Sequence, residues 1–131
     1  MEISLPEILD RISIVRLKIE RIGEPQLNEE LGTYMNAMKE YIERGVNIKK
    51  EWLDELYEIN GKIWDLVFPI RKIINSENYL ELAEKAIGFE ELGRQALLME
   101  SFMKIRVAVK NRISEETGSG FKDIKIDHCG E

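Results

Sequence analysis

Residues 52–70 read Trp52-Leu-Asp-Glu-Leu56-Tyr-Glu-Ile59-Asn-Gly-Lys-Ile63-Trp-Asp-Leu66-Val-Phe-Pro-Ile70, with apolar side chains at alternating spacings of four and three. An α-helix turns about 100° per residue, so this spacing keeps one apolar seam facing a partner helix turn after turn. The same spacing recurs at Ile8, Ile12, Val15, Ile19 and Ile22, and again at Leu27, Leu31, Tyr34, Met38 and Tyr41. Leu98, Phe102, Ile105, Val109 and Ile113 give a final stripe. Repeated seams of this kind predict an all-α, antiparallel bundle of four to five helices with long helical hairpins and coiled-coil-like packing.

Local signals set the expected boundaries. Ser4-Leu5-Pro6-Glu7 reads as a capping box with proline in the first turn, opening a helix that runs to about Ile22 and stops at Gly23. Pro25 opens a second helix that stops near Arg44 at Gly45, and the short Gly-Glu-Pro link makes the two a hairpin. Asn47 is the expected N-cap of a third helix reaching Ile74, with Gly61 weakening its interior and Pro69 breaking or kinking it near Val67. After a polar loop at 75–78, helix resumes through Ser114, with a short helix ending and a longer one beginning at Gly88. Residues 1–116 form the expected bundle. Residues 117–131, with Phe121, Ile124 and Ile126 but no helical face, form an expected extended tail that lies over the bundle or pairs with another copy.

Composition narrows the class. The chain has 131 residues, 44% hydrophobic and 34% charged, enough for one domain with its own core. No apolar run approaches the roughly 20 residues needed to cross a bilayer, and no secretory signal pattern opens the chain. The single cysteine, Cys129, suits a reducing cytosol, so a cytoplasmic location without a membrane is expected. A net charge of −6 argues against a dedicated nucleic-acid binder. The abundance of Glu, Lys and Ile is the composition seen in thermophiles.

Most chemical motifs carry little weight here. All-α nucleotide hydrolases hold magnesium on acid-x-x-acid pairs, because hard oxygen ligands one turn apart share an ion. Such pairs occur at Glu7/Asp10, Glu40/Glu43, Glu51/Asp54, Glu55/Glu58 and Glu81/Glu84. Chance predicts about five, so the motif does not discriminate. His128 and Cys129 cannot complete a tetrahedral site without further ligands, so neither a metal nor a cofactor is expected.

The distribution of charge says more. Between Arg94 and Arg112 the bases Arg94, Lys104, Arg106, Lys110 and Arg112 face one acid, Glu100, and the first helix adds Arg11, Arg16, Lys18 and Arg21. Two readings follow. Basic and acidic helices pair within the bundle or across a dimer, or a basic groove binds a phosphate, carboxylate or nucleotide-sugar anion through bidentate arginines. Trp64-Asp65 followed by Arg71 is a second constellation, with Trp64 at the edge of the seam and Asp65 suited to an ion pair.

The segments Asp10-Arg-Ile-Ser-Ile-Val-Arg-Leu-Lys18-Ile-Glu20-Arg21-Ile22, Ile59-Asn-Gly-Lys-Ile-Trp64-Asp65-Leu, Phe89-Glu-Glu-Leu-Gly-Arg94 and Arg106-Val-Ala-Val-Lys110-Asn-Arg-Ile113 together resemble a family of small uncharacterised all-helical proteins, a domain of unknown function. Its members are often encoded beside glycosyltransferases for surface polysaccharides. Val67 stands where the family has glutamate, and Ser114 where it has asparagine. The resemblance, which takes in Ile70-Arg71 as well, marks these blocks' polar residues without giving them a role. By their charge and placement, Lys18, Asp65, Arg71, Arg94, Arg106 and Lys110 are candidate ligand-binding residues, and Asp10, Glu20 and Trp64 candidate structural ones. The expected function is a helical binding or assembly module, homo-oligomeric, with a charged inter-helix groove that takes an anionic small molecule or a protein partner. The alternative is an all-α nucleotide hydrolase, or an accessory protein that binds a phosphorylated sugar or nucleotide.

Overall fold

A computed structural model describes residues 3–68 and 88–118, together with residues 78, 81, 82 and 85. Four helices carry most of these residues: α1 (Leu5–Arg21), α2 (Gln26–Glu43), α3 (Lys50–Val67) and α4 (Phe89–Thr117); residues 81, 82 and 85 are helical as well. No strand occurs among the described residues. The chain is a helical bundle in which α1 touches α2, α3 and α4, and α3 also packs against α4.

The ends of the helices follow the glycines. Gly23, Gly45, Gly88 and Gly118 all take positive φ, the region open to glycine without a Cβ penalty. The N-terminal ends differ from expectation in two places. Ser4 caps α1 with its backbone only, through its carbonyl and the amide of Ile8 at 3.0 Å, and makes no side-chain cap. The Glu7 carboxylate that a capping box needs is instead taken by Lys110 and Arg11. In α3 the helix starts at Lys50, not Ile48, because Val46 and Ile48 are drawn down against the core and hold the chain extended through Lys49. At the far end α4 runs to Thr117, three residues beyond Ser114. The α-helical part of α3 ends at Val67, before Pro69. Pro69 itself, the loop before residue 78, Arg71, and the tail from 119 on with Phe121, Ile124, Ile126, His128 and Cys129 lie outside the described residues.

One core joins the bundle: Leu5, Ile8, Leu9 and Ile12 of α1, Tyr41 of α2, Trp52 and Leu56 of α3, and Val109 and Ile113 of α4. Leu31, Tyr34 and Met38 of the second stripe pack against it half-buried. The first stripe proves too narrow a description of α1. Leu9 and Leu17, which stand off the stripe, are fully buried, whereas Ile22 at its end is exposed. A helix flanked by three others loses water on several sides, so its apolar residues spread around the axis. Gly61 of α3 faces Leu17 and Arg21 of α1, each 3.8 Å from where its Cβ would stand.

The two tryptophans differ sharply. Trp52 is buried at the centre of the core. Trp64 is half-buried at the rim, stacked on Phe68 with ring centroids 5.8 Å apart, and the Arg21 guanidinium lies 5.9 Å from its centroid. Removing a fully enclosed indole costs the transfer energy and leaves a cavity, whereas a rim indole leaves a dent that water fills. Trp52→Ala should therefore lose about 3–5 kcal/mol in urea denaturation and Trp64→Ala about 1–2 kcal/mol. Equal losses at the two positions would contradict this core.

Candidate functional site

The charged residues of α1 and α4 meet in one place. Asp10, on α1, is completely buried at 0% exposure. The Arg106 guanidinium, on α4, clasps it: Nε lies 3.1 Å from both carboxylate oxygens and Nη2 lies 2.5 Å from Oδ2. From α3, Asn60 Nδ2 donates to Asp10 Oδ1 at 2.8 Å and to Ser13 Oγ at 2.7 Å, and the Ser13 hydroxyl donates to the Asp10 carbonyl at 2.7 Å. One turn along α4, Lys110 Nζ donates to Glu7 Oε1 at 2.8 Å and stands 3.7 Å from Asp10 Oδ2. Glu7 also accepts from Arg11 Nε at 3.1 Å, and the Arg11 Nη1 donates to the Tyr34 hydroxyl of α2 at 3.4 Å. All four helices contribute.

The helical period explains the arrangement. Glu7 and Asp10 are three residues apart on α1, and Arg106 and Lys110 are four apart on α4, so each pair projects from one face. Two bases thus meet two acids at matching heights. The Arg106 side chain is 22% exposed and that of Lys110 13%, so the cluster opens only slightly to water. Burial acts to raise the pKa of Glu7, but hydrogen bonding and charge from Lys110, then from Arg11, outweigh it and hold the carboxyl below its ordinary value.

The other candidates lie elsewhere. Glu20 accepts a hydrogen bond from the Tyr57 hydroxyl, and Asp65 pairs with Arg21, both between α1 and α3. Arg94 forks onto Glu91 of its own helix, with Nε 2.9 Å from Oε1. Lys18 is half-buried and makes no ion pair among the described residues. Of the nine residues singled out in the sequence, the structure brings together Asp10, Arg106 and Lys110. It adds Glu7, Ser13 and Asn60. Glu7 and Asp10 formed one of the five acid-x-x-acid pairs, and spacing alone could not separate that pair from the rest. A weak signal for the others was present: Ser13 and Asn60 are small polar residues set directly beside stripe positions Ile12 and Ile59.

A shallow groove of about 150 Å³ runs between α3 and α4, lined by Glu55, Glu58, Ile59, Lys62, Ile105 and Val109. Glu55 on its wall is paired with Arg112 at 2.6 Å. Among the described residues no three of His, Cys, Asp and Glu converge where they could hold a metal ion, and no helix is long and apolar enough to cross a membrane. Comparison with protein-family models, curated proteins and solved structures finds no match.

The cluster behaves chemically as a closed polar joint. A buried carboxylate without its base leaves an uncompensated charge, so Asp10→Ala, which strands Arg106, should cost about 3–5 kcal/mol. Lys110→Ala, whose partner Glu7 is only half-buried and is also held by Arg11, should cost about 1–3 kcal/mol. A melting temperature that stays level or rises in Lys110→Ala would show that the bases repel one another there and are not bound to acids.

The pH dependence has a definite sign. The folded pKa of Glu7 is depressed, so its stabilising contribution is complete above the unfolded value of about 4.3 and is lost as pH falls through the lower folded value. Glu7→Gln should be less stable than wild type at pH 6, and the gap should narrow as pH falls below the unfolded value in urea titrations. A gap that stays constant, or widens, as the solution is acidified would mean that the ionised carboxylate is not what Lys110 holds.

Proposed function

We propose that this chain is a non-enzymatic helical assembly module, homo-oligomeric, in which the charged cluster fixes the bundle and leaves ligand chemistry to others. The observation that carries this reading is the closure of Arg106 and Lys110 by Asp10 and Glu7. An anion site needs bases turned toward solvent, and these two are turned toward carboxylates inside the bundle.

We further read the bundle as antiparallel. Tyr34 meets Arg11 and Tyr41 meets Ile3, so α2 returns along α1. Arg112 meets Glu55 and Lys49 meets Glu116, so α4 returns along α3. Glu7 meets Lys110 and Asp10 meets Arg106, so α1 also runs against α4; α1 and α3 therefore run the same way, an up-down-up-down order. Residues 81, 82 and 85 are helical, with Lys85 paired to Glu81 one turn away, so we read a short fifth helix before Gly88. The sequence blocks shared with the small helical family point to enzymes of surface-polysaccharide assembly as the place to seek a protein partner.

Thermal melts separate this reading from the hydrolase or sugar-phosphate alternative. A specific ligand at 100 times its Kd adds about 2.7 kcal/mol to folding and raises Tm by several degrees. Inorganic phosphate, magnesium-ATP and nucleotide sugars at millimolar concentration should shift Tm by less than about 1 °C, whereas Tm should climb with protein concentration, as mass action requires of an oligomer. A concentration-independent Tm together with a nucleotide-induced rise would reverse the assignment.

A further inference from the structure

The N-terminal half of α4 is exposed in an ordered way. The buried residues of α4 are Val109, Ile113 and Ser114, all in its C-terminal third. Phe89 and Leu97 are each 71% exposed, Met103 and Ala96 are also exposed, and nothing stands within 4 Å of the point where a Cβ on Gly93 would sit. On a helical wheel Phe89, Gly93, Ala96, Leu97 and Met103 fall on one side, turned away from Val109 and Ile113. Two small residues in the middle of that side permit a second helix to approach closely. Large apolar side chains kept in water on one face of a helix mark an interaction surface.

We propose that this face docks on the same face of a second copy of the chain, the two α4 helices running in opposite directions and crossing at Leu97. The proposal rests on the assembly reading above and names the surface that carries it. Charge picks the occupant. In an opposed pair centred on Leu97, residues whose numbers lie equally far on either side of 97 stand at the same height. Glu90 of one copy then stands level with Lys104 of the other, and Arg94 level with Glu100. No like charges oppose each other between residues 89 and 105. Phe89 comes level with Ile105 and about 3 Å along the axis from the height of Met103, near enough for the thioether to make a sulfur–aromatic contact. Leu97 meets its own symmetry mate, as a two-fold interface demands.

The bonds that must be exchanged are weak. Lys104 now holds Glu100 at 3.4 Å within its own helix, and Arg94 holds Glu91, both as exposed pairs. Exposed intrahelical pairs contribute little, so swapping them for intermolecular partners costs little. A second copy therefore covers Phe89, Leu97 and Met103 and keeps every one of these charges matched.

Sedimentation equilibrium on the full chain tests this. Wild type should be a dimer, and Leu97→Glu should be a monomer with an unchanged melting temperature at low concentration, because Leu97 lies outside the core. Glu100 stands within this face, between Phe89 and Gly93 on the wheel, so Arg94→Glu and Glu100→Arg should each weaken the dimer by about tenfold or more in Kd, since each turns an attraction between the copies into a repulsion. The two changes in one chain restore opposite charges across the interface and should recover most of the affinity. So should an equimolar mixture of the two single variants, which pairs acid-rich with base-rich copies. A dimer that survives Leu97→Glu would leave assembly intact and overturn this surface. Loss of affinity without recovery in the double variant would overturn the opposed crossing. A wild type that stays monomeric at hundreds of micromolar would overturn the surface and the assembly reading together.

Discussion

The Asp10 carboxylate has no contact with water, and an ionised group in that position must be met by protein or the bundle cannot close. Its partners come from different helices: Arg106 from α4 and Asn60 from α3, with Ser13 beside it on α1. The interaction is satisfied only when three helices stand at one height. A slide of α4 by a single turn, about 5.4 Å, would carry Arg106 out of reach. Apolar seams are forgiving of such a slide, because one aliphatic side chain packs nearly as well as another. The core thus supplies the attraction between helices, and the buried carboxylate decides their register. Its role is that of a polar residue in a coiled-coil seam, which selects one alignment at some cost in stability.

Much of the secondary structure was legible because it follows from a single period. The stripes beginning at Ile8, Leu27 and Trp52 predict α1, α2 and α3, and the glycines at 23, 45, 88 and 118 mark where helices begin or end. The cluster was only half legible. Asp10 stood on α1 beside an apparent one-sided stripe, and nothing in the sequence disclosed that α1 is packed on several sides. Glu20 and Asp65 looked equally fit to meet Arg106 and Lys110. Ten residues of helix separate Asp10 from Glu20, about 15 Å along the axis, so one base on α4 cannot serve both. Glu20 and Asp65 instead pair with Tyr57 and Arg21, where the C-terminal end of α1 meets α3. Period fixes which side of a helix a residue occupies; it leaves the relative heights of two helices undetermined.

Unequal length shapes the rest of the molecule. At 1.5 Å per residue the 17 residues of α1 span about 25 Å and the 29 of α4 about 43 Å. A helix that outruns its neighbours cannot bury its whole stripe against them. This accounts for Phe89 and Leu97 standing in water, whereas Ile105, on the stripe of Val109 and Ile113, is exposed where it lines the open groove beside Ile59 of α3. The stripe that ran evenly through the sequence is divided by geometry into a packed part and an open part.

The clasp on Asp10 also bears on the order of events as the chain emerges during synthesis. Asp10 and Arg106 are 96 residues apart, so the first helix exists long before its base has been made. Until α4 arrives, the carboxylate is stable only in water, and the α1 surface that carries it cannot be sealed by α2 and α3 alone. A nascent chain that has not yet made α4 is therefore kept loose and hydrated at its most buried helix. Closing a loop of that length is costly in entropy and slow, and it falls to α4 to do it. The buried charge acts as a checkpoint in folding, allowing α1 to be enclosed only once α4 is present.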